Sequence, residues 1–402
     1  MNGEHSALKI EYAGLKLRNP FLLASGPPTN TAQMLERAFA AGWAGAVIKT
    51  VPSPGLDHRG LTAEPRPLLA GVKVGARPSG MGNISYTCDW SLEDWGEALP
   101  GLKAQHPACV VIGSIGAEME REDWQSMARR AARAGFDALE LDLSCSHATL
   151  GRDVPLIVGE NPDLTADVLR WVTAVVGMPV IPKLPASVRD WRGVLGACRD
   201  AGAAGVASIN TLSALMGVDL DTMEPLPSLR GYSTYCGYSG PAIKPIGLRV
   251  VSQMHKAGNL PISGIGGVTT WQDAAEFLLL GASCVQVCTA VMWSGYGIVA
   301  KMIAGLSGYL ERKGVSSLSD LVGRANERVV ENLFDLDPNY GLTAFVTERC
   351  NRCGRCVTAC RDGAHQAIMA LEGAAPVVDA AACVGCGLCL LVCPVDALEL
   401  RG

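Results

Sequence analysis

Cys350, Cys353, Cys356 and Cys360 are spaced C-x₂-C-x₂-C-x₃-C, and Cys383, Cys386, Cys389 and Cys393 repeat that spacing, with Pro394 directly after the last. Two such runs in series are the pattern of a bacterial two-cluster ferredoxin, in which each [4Fe–4S] cluster takes three cysteines from one run and the fourth from the other. Zinc also binds four cysteines, but pairs of C-x₂-C suffice for it and leave the cysteine at x₃ unexplained. In the first run Arg361 stands where proline usually follows. Proline is not a ligand, so the run keeps its ligand set.

Clusters of this kind carry single electrons, so a donor and an acceptor must lie elsewhere. A flavin links one-electron carriers to two-electron chemistry on an organic molecule, and several upstream residues suit one. Ser263-Gly264-Ile265-Gly266-Gly267 and Cys288-Thr289 offer backbone N–H groups to a phosphate. Lys49 and Lys183 lie in otherwise apolar segments, where a lysine needs an anion unless it snorkels to a rim. Cys145 follows Leu141-Asp142-Leu143-Ser144 at the end of an apolar run. Its thiol is either an acid or base, or a small apolar filler of the kind expected at Cys88, Cys109, Cys198, Cys236 and Cys284.

The elements that position these residues read as repeated βα units. Eight apolar strands are predicted at 21–25, 46–50, 110–116, 138–144, 179–184, 205–210, 261–267 and 284–289, nearly all ending in polar residues or glycine. The helices between them close on Gly42, Gly135, Gly202 and Gly281, as C-cap glycines that return the chain to the sheet. Eight units in about 300 residues fit an α/β fold of the (β/α)₈ TIM-barrel class, with its active site at the C-terminal strand ends; an open doubly wound sheet is the competitor. Residues 51–93 and 212–240 are too long for simple turns, and connections of that length are usually lids or substrate walls. Residues 1–334 are read as the barrel, and 335–402 as a linker with a small ferredoxin-like α+β domain.

Length and composition agree with a large buried core: 402 residues, 49% of them hydrophobic. The formal charge is −5 with the basic residues dispersed, which argues against a nucleic-acid partner. The first residues, MNGEHSALKIEYAG, lack a basic segment followed by an apolar one, and no apolar run is long enough for a membrane span, so a cytoplasmic location is expected. Eight of the fifteen cysteines stand at metal-ligand spacing, which also suits a reducing compartment.

The chain resembles the dihydroorotate dehydrogenase superfamily, and within it the PreA-type subunits of dihydropyrimidine dehydrogenase. The likeness is carried by Gly42-Trp43 with Ala46 to Thr50, the turn ending at Cys145, Ile209-Asn210-Thr211, Gly237 to Gly240 with Lys244-Pro245, Ser263 to Gly281, and Asp362-Gly363. It implies FMN held by Ser25, Lys49, Thr50, Lys183, Gly240, Gly266, Gly267, Cys288 and Thr289. It implies a substrate faced by Asn83, Asp142, Ser144, Asn210 and Thr211, with Cys145 as proton donor. The implied activity is reduction of the 5,6 C=C bond of uracil or thymine, by hydride from FMN and a proton from the cysteine. Alternatives are reduction of another conjugated cyclic amide or enone, or a non-catalytic electron-transfer role. No Rossmann-type segment for FAD and NAD(P)H is found, so a separate electron-input subunit is expected, in a homodimer or heterotetramer. Asp142 departs from the family, which has asparagine there. A carboxylate accepts hydrogen bonds but, unlike an amide, does not donate them.

Overall fold

The computed structural model describes residues 6–54, 68–74, 77–84, 88–144, 158–336 and 341–402. Eight parallel strands form the centre of the first part: β1 (Phe21–Leu23), β2 (Gly45–Val47), β3 (Val110–Gly116), β4 (Ala138–Asp142), β5 (Val180–Leu184), β6 (Val206–Ser208), β7 (Ile262–Ile265) and β8 (Cys284–Val287). Each pairs with the next, β8 pairs with β1 through Val285 and Phe21, and the sheet therefore closes on itself as a TIM barrel. Every residue of β1, β2, β3, β5, β7 and β8 is buried. Such near-continuous apolar runs are what strands covered on both faces require. Six of the eight strands stop two or three residues before the end predicted from sequence, and β3 and β5 end where predicted. At these ends the backbone leaves the ladder, and the polar residues turn into the site described below.

The outer helices follow in alternation: α1 (Ala32–Ala41), α2 (Leu92–Gln105), α3 (Arg121–Ala134), α4 (Pro162–Thr173), α5 (Trp191–Asp200), α6 (Lys244–Ala257), α7 (Trp271–Leu279), α8 (Thr289–Ser294) and α9 (Ile298–Lys313). Their starts are set by local chemistry. Ser91 Oγ accepts from Asp94 N at 3.1 Å while Asp94 Oδ2 accepts from Ser91 N at 2.7 Å, a reciprocal cap worth about 1 kcal/mol. Gly42 and Gly135 end α1 and α3 at φ of 122° and 91°, a region that costs a residue with a Cβ. A short hairpin, Ile10–Tyr12 with Leu15–Leu17, lies against the start of β6, where the fully buried Tyr12 donates to Val206 O at 3.0 Å. No helix among the described residues is long and apolar enough to cross a membrane.

The two long connections, which leave the C-terminal ends of β2 and β6, build one element together. Strands Leu68–Val74 and Arg77–Ile84 from the first join Leu212–Ala214 and Cys236–Ser239 from the second in a four-stranded antiparallel sheet. Asn83 stands opposite Gly237 and Met81 opposite Ser239. Segments more than 150 residues apart thus hold each other in place at the mouth of the barrel.

The chain divides into two compact units, Met1–Val329 and Val330–Gly402. In the second, Thr343–Val346 pairs with Leu398–Arg401, and Ile368–Met369 with Val377–Val378. Two helices, α10 (Arg355–Gly363) and α11 (Leu388–Leu391), pack against each other. The cysteine repeat is also a backbone repeat: Arg352 and Gly385 have φ of 64° and 68°, and Gly354 and Gly387 have 73° and 77°. The halves differ after the fourth cysteine. Arg361 keeps its backbone N–H and α10 runs on to Gly363, whereas Pro394 has none to give and α11 has already ended.

Candidate active site

A cavity of about 420 Å³ opens at the C-terminal ends of the strands, within the size range of cofactor sites, roughly 300–1,000 Å³. All nine residues expected on the flavin side line it: Ser25, Lys49, Thr50, Lys183, Gly240, Gly266, Gly267, Cys288 and Thr289. So do four of the five expected on the substrate side, Asn83, Asp142, Asn210 and Thr211. The fifth, Ser144, is only 4% exposed and does not line the cavity. The backbone turns at the end of β4, and its side chain is used behind the wall. Cys145 lies outside the described residues.

The polar residues form a connected network. Ser25 Oγ lies 3.2 Å from Thr50 Oγ1, which lies 2.9 Å from Ser114 Oγ and 3.5 Å from Asp142 Oδ2. Asp142 Oδ1 accepts from Ser144 N at 3.3 Å, Ser144 Oγ at 3.0 Å and Asn210 Nδ2 at 3.5 Å. Asn210 also donates to Ser144 Oγ at 3.0 Å and accepts from Thr211 N at 2.8 Å. On the mouth sheet, Asn83 Nδ2 donates to Gly237 O at 2.9 Å. Thr289 Oγ1 donates to Ser239 Oγ at 2.9 Å, and Ser239 donates to Met81 O at 3.2 Å, which ties the end of β8 to both long connections.

Beneath this layer two charges sit inside the barrel. Lys183 Nζ is 3.6 Å from Glu140 Oε1, and Gln286 Nε2 donates to Glu140 Oε2 at 2.9 Å. Burial pushes the Glu140 carboxyl above the usual carboxylate range, against the opposing pull of Lys183 and Gln286. Burial likewise pushes the Cys288 thiol up to about 11, with Lys49 and Lys183 acting the other way. Sequence reasoning missed Glu140, Gln286 and Ser114. The available signal was a polar residue at an inward position of an otherwise apolar strand, as in Ala138-Leu-Glu-Leu-Asp142 and Cys284-Val-Gln-Val287.

These residues fit FMN. At the end of β7, Gly266 and Gly267 adopt φ of 121° and 79°, and a Cβ on Gly267 would come within 2.8 Å of Lys244 N and 2.9 Å of Gly240 O. Gly266, Gly267 and Thr289 line the cavity at this close approach, where the backbone N–H groups of a glycine turn and a helix start would suit a phosphate. Gln286 lines the cavity, and its Oε1 is buried without a hydrogen-bond partner among the described residues. Lys49 and Lys183 supply positive charge on the same wall.

The cysteines of the second unit fit clusters rather than one ion. A small cavity there is lined by Cys360 from the first run with Cys383, Cys386 and Cys389 from the second. That is the exchange of the fourth ligand expected of a two-cluster ferredoxin. Backbone N–H groups aim at the sulfurs: Ala344 N at Cys383 (3.3 Å), Arg352 N at Cys350 (3.4 Å), Ala367 N at Cys360 (3.3 Å) and Ala397 N at Cys393 (3.1 Å). Among the described residues no three His, Cys, Asp or Glu side chains gather closely enough to hold a single ion.

Comparison with known proteins finds relatives for both parts of the chain. The profile of the family described as dihydroorotate dehydrogenase matches residues 7–310, and that of a 4Fe-4S dicluster domain matches residues 344–400. The chain is 39% identical over 409 residues to the NAD-dependent dihydropyrimidine dehydrogenase subunit PreA of Escherichia coli (strain K12), covering 98% of this chain and 95% of that one. It is 34% identical over 326 residues to the chloroplastic dihydropyrimidine dehydrogenase (NADP(+)) of Arabidopsis thaliana, covering 79% and 76%. It is 35% identical over 318 residues to the catalytic subunit of dihydroorotate dehydrogenase B (NAD(+)) of Pyrococcus abyssi (strain GE5 / Orsay), covering 79% and 99%.

Proposed function

Because the chain belongs to the dihydroorotate dehydrogenase family, FMN-binding oxidoreductases acting on CH–CH bonds, and carries a 4Fe-4S dicluster domain, we propose that it reduces the 5,6 C=C bond of uracil or thymine. Electrons would come from NAD(P)H through an FAD- and nicotinamide-binding partner subunit and the two clusters. The reading is supported above all by one observation. The residues suited to a flavin and those suited to a small polar ring line the same cavity, in a chain similar along nearly its whole length to a dihydropyrimidine dehydrogenase subunit.

FMN, when bound, links one-electron carriers to hydride chemistry on a ring. The protein's own residues do the rest. Gly266, Gly267 and the start of α8 would hold the phosphate, and Lys49 and Lys183 would balance negative charge. Asn83, Asp142, Asn210 and Thr211 orient the ring by hydrogen bonds, with Ser144 fixing Asp142 and Asn210 from behind. The mouth sheet limits water. Cys145 would deliver the proton to one ring carbon, and the hydride needed at the neighbouring carbon is the chemistry that FMN would supply, so that C=C would become CH–CH. The eight cysteines from Cys350 to Cys393 hold the clusters.

A Cys145→Ala variant tests this assignment. It should keep its flavin and pass electrons to an artificial acceptor at the normal rate, yet lose reduction of uracil and thymine by about a hundredfold or more, within the range of general acid–base catalysis. Unchanged ring reduction would remove Cys145 from the mechanism. Asp142 favours a second reading, in which the substrate is another conjugated cyclic amide, because a carboxylate accepts where an amide would both donate and accept.

A further inference from the structure

We propose that Asp142 determines which ring the site accepts: one that presents an N–H donor to Oδ2, and not one that carries a carboxylate at that edge. This rests on the reading of the cavity as the site of a pyrimidine-like ring.

The inference comes from how the carboxylate's hydrogen-bonding capacity is divided. Oδ1 has three donors, Ser144 N, Ser144 Oγ and Asn210 Nδ2. Oδ2 has one, Thr50 Oγ1, at 3.5 Å. That hydroxyl has a single proton and two closer neighbours, Ser114 Oγ at 2.9 Å and Ser25 Oγ at 3.2 Å, so its hold on Oδ2 is the weakest of the three. A carboxylate offers about four acceptor sites over its two oxygens, and Oδ2, with one weak donor, has capacity left in a residue that lines the cavity.

Charge points the same way. Lys183 is the register neighbour of Asp142 across β4 and β5, but its ion pair is with Glu140 at 3.6 Å. No ion pair of Asp142 occurs among the described residues. A ring carbonyl placed against Oδ2 meets lone pairs, and a ring carboxylate adds like-charge repulsion in a partly desolvated site. An amide N–H, an amino group or an amidinium instead completes the shell with a charge-assisted hydrogen bond.

The test is calorimetric binding to the oxidised holoenzyme, with cytosine, uracil and orotate as probes, for the wild type and for Asp142→Asn. The amide keeps the shape, and its oxygen still serves Ser144 and Asn210, while its NH₂ replaces Oδ2. The wild type should bind cytosine and uracil and hold orotate weaker by roughly ten- to hundredfold, the range of one hydrogen bond to a charged group. Asp142→Asn should narrow the orotate-to-cytosine ratio by about tenfold or more. Orotate bound by the wild type as tightly as uracil overturns the inference without any variant, and so does an unchanged ratio in Asp142→Asn; in both cases the pyrimidine reading stands. If none of the three binds to either protein, the reading of the cavity fails and takes the inference with it.

Discussion

Lys183 Nζ lies 3.6 Å from Glu140 Oε1, with the two side chains 6% and 1% exposed. A charge pair placed inside a barrel costs desolvation energy that its own attraction scarcely recovers, but removing one partner strands the other at a cost of about 3–5 kcal/mol. The pair is therefore better explained by the site it supports than by stability.

Glu140→Gln and Lys183→Met should each lower the stability of the flavin-free protein by that order. The double variant should lose clearly less than the sum of the two, because neither charge is left alone. Denaturant unfolding of the three variants measures it, and additive losses would show that the two groups are independent.

Replacing Gly267 by alanine separates strain from space. Gly267 and Gly135 both have positive φ, but only Gly267 has backbone atoms within 3 Å of where a Cβ would stand, while Gly135 has nothing within 4 Å. Gly135→Ala should lose about 1 kcal/mol of stability and keep its full flavin content. Gly267→Ala should purify with most of its flavin missing. Equal flavin content in the two would place the phosphate elsewhere.

The cavity shared by Cys360, Cys383, Cys386 and Cys389 makes a pairing prediction. Cys360→Ser and Cys383→Ser should damage the same cluster and leave the same residual paramagnetic resonance spectrum after reduction. Cys350→Ser and Cys393→Ser should share the other. Spectra that instead group Cys360 with Cys350 would mean that the fourth ligand is not exchanged.

These sites were not equally legible from residue order. Cluster ligation is written in local spacing, and the barrel in apolar runs such as Val110 to Gly116, whose length and glycine stops survive any tertiary context. The residues expected on the flavin side, most of them from the family resemblance, lie at or just beyond strand ends and line the cavity. The mouth sheet was not foreseen, because Asn83 opposite Gly237 is a pairing between segments 154 residues apart and neither carries a strong strand pattern of its own. Glu140 went unnoticed since an alternating Ala-Leu-Glu-Leu-Asp segment does not say which face is the barrel interior. Ser144 was expected at the substrate from the family resemblance, but the end of β4 directs it to Asp142 and Asn210.

Cys288 gives a pH signature. Burial pushes its thiol up to about 11 although it lies beside the cationic wall. In flavin-free protein its alkylation by iodoacetamide should be slow at neutral pH and rise about tenfold per pH unit until near 11, since only the thiolate reacts. Peptide mass spectrometry follows that position alone. Fast alkylation at pH 7 would mean that Lys49 and Lys183 outweigh burial and hold a thiolate there.

The account turns on whether electrons held by this protein reach a pyrimidine ring. The direct measurement is to reduce the purified holoenzyme with dithionite in the absence of oxygen, remove the excess, add uracil or thymine, and follow flavin absorbance together with product. The account predicts rapid return of the oxidised flavin spectrum, with a dihydropyrimidine formed for each pair of electrons lost. A flavin that stays reduced with both rings, yet is reoxidised at once by an artificial acceptor, would contradict it.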